Sequence, residues 1–379
     1  MGRFGHIEVS GFRRLDGLDI ELRDLNVLIG ANGGGKTSFL DVFSLLAASA
    51  SGGLAAKISE WGGINALLTV DRAKRLALEL SAVVPPITYA MEIAPEGVGH
   101  AIASEMLVQQ KYADLPPCKY IRSQHGDIRY FEVDSHRLVQ PSWEYNPQET
   151  SLSQVPKMFV NPEDFRRRLA SSTYYHALNV EPRSPVRLPQ PLRRAGLPGH
   201  DGEDLVSCLF NLRETDRDRF ETIEDALHAA YPTFDRLDFP PVAAGTLAMT
   251  WRDRNFSQPL YMHQLSEGML RFLWLATLLQ SPDLTEITLL DEPEISLHPE
   301  LLGLLAGMMR EASQRTQLIV ATHADRLVRF LEPQEVITLD IGEDGMTKAT
   351  WADQLDLDSW LSEYTLDEVW RLGRMGGRA

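Results

Sequence analysis

The stretch that decides the fold is Gly30–Ser38, which reads GANGGGKTS. It fits the pattern G-x-x-x-x-G-K-[ST] of a phosphate-binding P-loop. Just before it, Leu25–Ile29 is a short apolar run that suits a buried strand, and after it Ser38–Ala48 repeats apolar residues at helical spacing. The sequence therefore predicts a strand, a glycine loop and a helix, which is the structural context that the motif requires.

The residue types in this loop suit the binding of a nucleoside triphosphate. Glycine lets the backbone adopt conformations closed to other residues, so that successive N–H groups can face a phosphate. The helix that begins near Lys36 adds its positive N-terminal dipole, and Lys36 itself can reach the β- and γ-phosphates. The Thr37 hydroxyl is placed to ligate the Mg²⁺ that accompanies ATP. The candidate nucleotide-binding residues of this stretch are Gly30, Asn32, Gly33, Gly34, Gly35, Lys36, Thr37 and Ser38.

Composition limits the class of protein without identifying it. The chain has 379 residues, 44% of them hydrophobic, which suffices for a large core divided over two or three domains or lobes. A formal net charge of -16 argues against a uniformly basic nucleic-acid-binding protein. Two distant cysteines, Cys118 and Cys208, indicate a reducing cytoplasm and no zinc or disulfide framework. The longest apolar stretch, Leu270–Leu279, is about half of the ~20 residues needed to cross a bilayer, so we expect no membrane span.

Strand-like patterns surround the glycine loop. His6–Phe12 and Leu18–Leu22 come before it, and four strand-length stretches separated by Pro- and Gly-rich turns follow the predicted helix. They indicate an antiparallel β subdomain, which gives way to helices at Asn161–Asp164. The four stretches are Arg75–Val83, Ile87–Ala94, Ala103–Gln109 and Asp127–Val133.

Arginine-rich segments occur at two places. Arg13 and Arg14 follow the first strand, where a solvated pair is favoured over contact with a nucleotide. Arg183–Pro198 is dense in proline and arginine, so it is predicted to be a surface connection and not a regular helix. A solvated linker is the favoured interpretation of this segment, and contact with DNA or a partner is the alternative.

Carboxylates and a histidine follow two later apolar strands. Glu286–Leu290 leads into Asp291 and Glu292, and Gln317–Ala321 leads towards His323. Asp291 is placed to hold Mg²⁺ through water, while Glu292 is placed to act as general base on a water in line with the γ-phosphate. His323 is a candidate γ-phosphate contact, because α/β proteins place ligand-contacting groups at the ends of parallel strands.

The order of the motifs carries a family resemblance. The glycine loop is followed by LSEGMLR at Leu265–Arg271, TLLDEPEISLHPE at Thr288–Glu300 and ATHAD at Ala321–Asp325. In this order the chain resembles an ABC-type ATPase, in the branch that includes RecF, the SMC proteins and the OLD nucleases. The resemblance implies an α/β P-loop head with an antiparallel β subdomain and a helical subdomain that carries the signature motif.

The resemblance also implies roles for particular residues. Ser266 and Gly268 are the signature residues, which contact the γ-phosphate held by the P-loop of a second subunit. Glu294–His298 is the D-loop, and His323 is the switch histidine. ATP with Mg²⁺ is then closed between two head-to-tail copies, so that a homodimer forms on ATP binding. The implied catalytic residues are Lys36, Glu292 and His323.

The family further has a glutamine loop where the β lobe passes into the helical lobe. Gln154, just before the helix predicted at Asn161, is the favoured candidate for this nucleotide and Mg²⁺ contact. Gln109, Gln110 and Gln124 are its rivals.

Two departures from the family narrow the function. The chain has no sustained heptad pattern, so we expect a compact head without an SMC coiled coil. The residues after the switch histidine, Ala324–Ala379, are too few for the nuclease domain of OLD proteins. The chain thus resembles stand-alone ATPases related to OLD, which implies a separately encoded, nuclease-like partner. We expect a cytoplasmic ATPase that dimerises on ATP and gates engagement of DNA or of that partner in DNA repair or anti-phage defence.

Two alternatives stay open. One is the nucleotide-binding subunit of a membrane transporter, which is disfavoured because LSEGM departs from the usual LSGGQ and the long insertions have no transporter counterpart. The other is a nucleotide-gated scaffold that hardly turns over.

The motifs predict four parts of the chain. Residues 1–150 form the nucleotide lobe with the P-loop and the antiparallel β subdomain, and residues 151–282 form the helical lobe with the signature. Residues 283–345 complete the nucleotide lobe with the Asp291 strand, the D-loop and the switch histidine, and residues 346–379 form a C-terminal tail.

Overall fold

In a computed structural model, the chain is described over residues 3–111, 116–132, 134–155, 157–243 and 245–376. It divides into two units. The first consists of the described parts of Met1–Thr173, Pro333–Tyr364 and Val369–Ala379, and the second of the described parts of Tyr174–Glu332 and Thr365–Glu368. The first unit is therefore built from segments that lie far apart in the sequence.

The amino-terminal part of the first unit contains both strands and helices, and the predicted strand, loop and helix of the P-loop are all present. Its last strand, β10, runs into the second unit. The elements are β1 Phe4–Ser10, β2 Leu18–Glu21, β3 Leu25–Gly30, α1 Lys36–Ser51, α2 Leu54–Glu60, α3 Ile64–Leu67, β4 Leu76–Ala82, β5 Ile87–Glu96, β6 Gly99–Gln109, β7 Cys118–Gln124, β8 Asp127–Glu132, β9 Arg137–Val139, α4 Ser151–Gln154, α5 Val160–Ala170 and β10 Ser172–Tyr175.

The predicted antiparallel β subdomain is confirmed. Eight strands form one sheet in the order β2-β1-β4-β5-β6-β7-β8-β9, with antiparallel pairing from strand to strand. In β4 every second residue is buried, which gives the sheet one face towards the core. The predicted strand at Asp127–Val133 is β8, although Val133 lies outside the described residues.

Helix α5 packs against the buried face of this sheet. Phe165 of α5 meets Phe4 of β1 edge to face at 5.5 Å between ring centroids, and it also contacts Tyr89 of β5 at 6.2 Å. All three side chains are almost fully buried. Because a buried Phe→Ala change typically costs about 3–5 kcal/mol, Phe165→Ala would detach much of this layer.

The second unit is mainly helical, with short antiparallel strands and one parallel pair. Its described elements are β11 Gln190–Pro191, α6 Leu205–Thr215, α7 Arg217–Ala230, β12 Phe234–Asp238, β13 Pro241–Ala243, β14 Thr246–Leu247, β15 Thr250–Asp253, β16 Leu260–Tyr261, α8 Glu267–Gln280, β17 Ile287–Asp291, α9 Leu302–Ser313, β18 Gln317–Ala321 and α10 Asp325–Val328. The predicted helices at Asp204–Arg213 and Arg217–Ala230 correspond to α6 and α7.

Helix α8 is the core of this unit. It is buried on nearly all sides after Leu270, as expected for a helix whose sequence is apolar all round. It packs against α6, α7 and α9. Trp274 of α8 meets Tyr175 edge to face at 5.6 Å, so the helix is tied to the end of β10.

The parallel pair of the second unit brings two strand ends together. β17 and β18 run parallel, with Asp291 in register with Ala321. β10 is the other neighbour of β17. The residues that follow β17 and β18 therefore lie at one edge of the sheet.

The chain then returns to the first unit with β19 Val336–Ile341, β20 Thr347–Trp351 and α11 Asp358–Leu361, and ends with α12 Leu366–Arg371. β19 pairs in parallel with β3, and β20 pairs antiparallel with β19. Strand β3, which precedes the glycine loop, therefore pairs within the first unit with β19, some 300 residues later in the sequence.

The proline- and arginine-rich segment is a surface connection, as predicted, with one short 3-10 turn at Pro185–Arg187. Two of its arginines are bound within the second unit. Arg187 donates to the carbonyls of Val180 at 2.6 Å and Leu265 at 2.9 Å, and Arg193 forms an ion pair with Asp204. The exposed basic surface of this segment is thus smaller than its sequence suggests.

Candidate functional site

The glycine loop is held closely against β19. Gly30 ends β3 opposite Leu339, and a Cβ at Gly30 would lie only 2.5 Å from the Leu339 carbonyl oxygen. Thr347 of β20 also supports the loop, because its hydroxyl donates to the Gly34 carbonyl at 3.0 Å. Gly34 N–H in turn donates to the Ala31 carbonyl at 3.0 Å, which closes the turn.

The first turn of α1 has features that favour the binding of an anion. Gly35 caps the helix with a φ of 99°, a left-handed conformation that favours glycine, and it has no side chain to occupy the N-terminal N–H groups. The first turn, Lys36–Phe39, contains no acidic residue. Asn32 and Thr37 are exposed beside it and Ser38 is half-buried. A helix N-terminus with these properties binds phosphate readily.

Lys36 points into the loop. Its side chain is 4% exposed, and Nζ donates to the carbonyls of Gly30 at 2.6 Å and Ala31 at 2.9 Å. The ammonium group therefore lies among the backbone groups that would surround a phosphate.

Arg13 is not a simple solvated arginine, the interpretation favoured from the sequence. It adopts a φ of 50° and forms an ion pair with Asp41 of α1 at 2.5 Å, while its guanidinium also approaches the Ser38 hydroxyl at 3.4 Å. Arg14 is exposed and donates to the Gly345 carbonyl at 3.3 Å. No local pattern in the sequence indicates this ion pair between Arg13 and the phosphate-loop helix.

Gln154 lies at the wrong end of α1 for a nucleotide contact. The Thr150 hydroxyl of the same segment donates to the Ser49 carbonyl at 2.6 Å, at the carboxyl end of the helix. A helix of 16 residues is about 24 Å long, and the phosphate loop is at its other end. The Gln154 amide itself accepts from Asn146 N–H and donates to three loop carbonyls. Gln154 therefore lies too far from the phosphate loop to contact a nucleotide bound there or its metal ion.

The rival glutamines also have structural partners. Gln109 is buried, and its side-chain oxygen accepts from the Tyr120 hydroxyl at 2.7 Å. Gln109 and Gln124 belong to the antiparallel sheet, and Gln110 directly follows β6. None of these contacts points to a role in phosphate binding.

In the second unit, Asp291 ends β17 with a carboxylate that is 19% exposed. The hydroxyl of Tyr174 donates to its Oδ2 at 3.0 Å, and His176 Nδ1 lies 3.9 Å from the same oxygen. Burial raises the pKa of Asp291, and the charge of Glu292 acts in the same direction, while the Tyr174 hydrogen bond opposes the shift. Neither Tyr174 nor His176 was expected from the sequence.

Glu292 and His323 face each other at the strand ends. Glu292 has a φ of 51°, an uncommon left-handed conformation for a residue with a side chain, and its N–H donates to the Ala321 carbonyl at 2.8 Å. Its Oε1 lies 3.5 Å from His323 Nε2. Both side chains are more than a third exposed, so they are accessible to water and substrate.

Glu294 supports the segment that carries His323. Its Oε1 accepts from the Thr322 hydroxyl at 2.6 Å and from His323 N–H at 3.3 Å. Burial raises the pKa of Glu294, and these hydrogen bonds oppose the shift. The sequence placed Glu294 in the D-loop but gave no indication of this bond.

The signature residues contact the D-loop. Ser266 is exposed and caps α8 by accepting from Met269 N–H at 3.3 Å. A Cβ at Gly268 would lie 2.8 Å from the Ser296 carbonyl oxygen, so glycine allows a close approach of the two segments. Ser296 has a φ of 61°. The start of α8 therefore packs closely against the turn that follows β17.

The donor set fits Mg²⁺. Asp291 offers a carboxylate that accepts a hydrogen bond on one side from Tyr174. Mg²⁺ prefers oxygen ligands and binds through one or two carboxylates together with substrate phosphates. Asp291 would be the metal ligand in the second unit.

Comparison with known families decides the wider identity. The family described as "AAA domain, putative AbiEii toxin, Type IV TA system" matches residues 25–89 and 120–329, which is more than half of the chain. The chain belongs to this family, AAA_21. It is accordingly an AAA-type ATPase domain, and the family implies ATP binding.

Solved structures of Smc heads share the fold of this AAA_21 chain. An SmcHead bound to the C-winged helix domain of ScpA is 16% identical with a TM-score of 0.58, and the match covers 95% of this chain and 99% of that chain. An Smc head with an extended coiled coil from Pyrococcus furiosus, bound to the C-terminal domain of ScpA, is 13% identical with a TM-score of 0.54 and 98% coverage of both chains. An Smc head with a coiled coil and joint from Pyrococcus yayanosii is 11% identical with a TM-score of 0.51, covering 98% and 100%. These likenesses confirm the predicted fold of an ABC-type head.

The search among curated proteins found no match. Within the described part of the AAA_21 chain, no helix is long and apolar enough to cross a membrane.

Proposed function

We propose that this AAA_21 chain hydrolyses ATP, closes on ATP as a homodimer, and thereby gates engagement of DNA or of a nuclease-like partner protein in DNA repair or anti-phage defence. The observation that carries the proposal of hydrolysis is the position of Glu292. It directly follows a partly buried aspartate, its backbone is held in a left-handed conformation, and its carboxylate faces His323 at 3.5 Å. A general base and a polarising histidine thus meet at one strand edge.

The proposed chemistry uses these residues in separate roles. Lys36 leaves the loop carbonyls and binds the β- and γ-phosphates, because phosphate oxygens carry full negative charge and carbonyls do not. Glu292 accepts the proton of a water that attacks the γ-phosphorus, and His323 binds the γ-phosphate oxygens. Mg²⁺ held by Asp291 would neutralise part of the phosphate charge. Catalysis of this kind lies mostly in positioning and charge stabilisation.

The signature motif supports a second copy. Ser266 is exposed at the N-terminus of a 14-residue helix, and this position suits contact with an anionic phosphate. In a head-to-tail dimer with two-fold symmetry, Ser266 and Gly268 of each copy would face the ATP bound at Lys36 of the other. Each ATP would then be enclosed by both copies.

Two observations support an additional macromolecular partner. Two of the similar Smc heads are bound to a domain of ScpA, which shows that this fold can carry a protein on its surface. Arg183 and Arg194 remain exposed in the proline- and arginine-rich segment, and they are the residues through which it would contact DNA. We place this activity in the cytoplasm.

A quantitative ATPase assay tests the proposal. Purified protein is given ATP and Mg²⁺ with and without double-stranded DNA, and phosphate release is compared between wild type and Glu292→Gln. We expect turnover by the wild type, little by the variant, and similar binding of a fluorescent ATP analogue by both. Binding without turnover in the wild type would contradict hydrolysis and favour a nucleotide-gated scaffold.

A further inference from the structure

Two residues at the end of the neighbouring strand β10 lie beside the carboxylate of Asp291. The Tyr174 hydroxyl donates to Oδ2 at 3.0 Å, and His176 Nδ1 lies 3.9 Å from the same atom. The two rings also contact each other, with centroids 4.2 Å apart and planes tilted by 36°. Three side chains thus form one connected group at the edge where β10 and β17 are neighbours.

The members of this group differ in exposure. The side chain of Asp291 is 19% exposed, Tyr174 is half-buried, and His176 is 69% exposed. Tyr174 is therefore the inner member that holds the carboxylate, and His176 covers the outer side of its ring. The separation of 3.9 Å is too long for a direct hydrogen bond between His176 and Asp291, so the contact of His176 is chiefly with the Tyr174 ring.

A carboxylate at a strand end can rotate about its terminal torsion, which is broad and loosely restrained. A hydrogen bond to one oxygen restrains that rotation. The phenol is neutral at ordinary pH and therefore leaves the negative charge of the carboxylate available to a metal ion. Partners of this kind set the orientation of metal ligands, and their loss typically weakens metal binding by 10- to 100-fold.

We propose that Tyr174 and His176 are positioning residues of the ATP site, with Tyr174 orienting Asp291 for the metal and His176 holding the Tyr174 ring in place. This inference rests on the proposed function. Gln154 lies at the far end of α1, whereas the Tyr174 hydroxyl contacts Asp291 itself.

A purely structural role makes a different prediction. If Tyr174 only satisfies a partly buried carboxylate, its removal would lower the melting temperature and leave metal affinity unchanged in the folded protein. Metal affinity measured directly, and separately from turnover, distinguishes the two roles.

The test uses Mn²⁺ as a paramagnetic probe for the metal. Its binding to the intact protein is titrated by electron paramagnetic resonance in the presence of a slowly hydrolysed ATP analogue, with thermal unfolding recorded for every variant. Tyr174→Phe keeps the ring and removes the donor, and we expect about tenfold weaker Mn²⁺ binding. Tyr175→Phe is the matched control, since it makes the same chemical change one residue later, on the opposite side of the strand. Its Mn²⁺ affinity should equal that of the wild type.

Two variants of His176 separate stacking from polarity. His176→Phe keeps a ring on Tyr174 and should retain Mn²⁺ affinity, whereas His176→Ala should lose about threefold or more as the tyrosine is released. Wild-type Mn²⁺ affinity in Tyr174→Phe would overturn the proposal, as would equal affinities for His176→Ala and the wild type. Failure of the wild type to bind nucleotide at all would instead refute the proposed function, so the two failures are distinguishable.

Discussion

The ammonium group of Lys36 donates a hydrogen bond of 2.6 Å to the carbonyl of Gly30, the first residue of its own loop. The lysine ammonium is therefore held at the loop by two backbone carbonyls, those of Gly30 and Ala31. A nucleotide that enters must exchange these carbonyls for phosphate oxygens, which are stronger partners for a cation.

The first prediction concerns this cation. Lys36→Ala should abolish binding of a fluorescent ATP analogue, because it removes the side-chain cation of the phosphate loop. Lys57→Ala on α2, which removes a lysine paired with Glu60, is the control and should bind as the wild type does. Unchanged affinity in Lys36→Ala, with a normal melting temperature, would refute the nucleotide site.

The second prediction separates binding from turnover. Glu292→Gln keeps the shape of the side chain but cannot accept a proton from water, so ATP should be bound and hardly hydrolysed. We expect an ATP-dependent dimer that persists during size-exclusion chromatography. Glu300→Gln, at a nearby exposed carboxylate, should hydrolyse ATP normally. Hydrolysis near the wild-type rate in Glu292→Gln would show that its carboxylate is structural.

The third prediction tests action between copies. Lys36→Ala and Ser266→Arg homodimers should both be inactive, whereas in a mixed dimer one site collects both defects and the other collects none. Equal mixing gives about half mixed dimers, so activity should return to at most about a quarter of the wild-type value.

Ser266 also caps α8, so the Ser266→Arg variant needs its own stability control. Loss of such a cap costs about 1 kcal/mol, and Ser266→Asn, which can still cap, should be closer to the wild type in stability. Normal hydrolysis by Ser266→Arg alone, with no restoration in the mixture or in a tethered pair, would mean that the head works without sites shared between copies.

The fourth prediction concerns Glu105 of β6, a buried glutamate that accepts hydrogen bonds from Ser151 N–H, Leu152 N–H and the Tyr89 hydroxyl. Burial raises its pKa above the ordinary value of 4.5, although these bonds oppose the shift. The folded state thus keeps the proton to higher pH than the unfolded state. The contribution of Glu105 to stability is therefore lost as the pH rises from 4.5 through the folded-state pKa.

Glu105→Gln removes this titration. The difference in free energy of unfolding between the variant and the wild type should therefore shift in favour of the variant as the pH rises from 4.5 through the raised pKa. Urea unfolding at several pH values measures it. A difference that does not change with pH would contradict the raised pKa.

The parts of the site that are local in sequence could be predicted. The P-loop strand, loop and helix are specified by neighbouring residues, and α1 begins at Lys36 as the motif requires. The strands that end at Asp291 and Ala321 are apolar runs of strand length, so their ends could be located. These elements need no knowledge of distant contacts.

The parts of the site that depend on pairing between distant segments could not be predicted from the sequence. Tyr174 and Asp291 are 117 residues apart, and nothing in either local pattern indicates that β10 is the neighbour of β17. Gln154 was favoured because it lies near a change from strands to helices, yet the segment around it is bound to the far end of α1. The position of Gln154 in the sequence indicated a change from strands to helices, but it did not indicate where in the fold this change lies.

The contact between Thr347 and Gly34 spans 313 residues, and β19, the parallel neighbour of β3, is equally distant from it. Chains fold as they emerge from the ribosome, at about 5–20 residues per second. The phosphate loop is therefore synthesised long before its support, which is completed only when residues 336–351 have emerged. A nascent chain stalled before that point would carry the complete motif and yet lack the backbone contacts that shape it, so we expect nucleotide binding to be acquired only after β19 and β20 have been made.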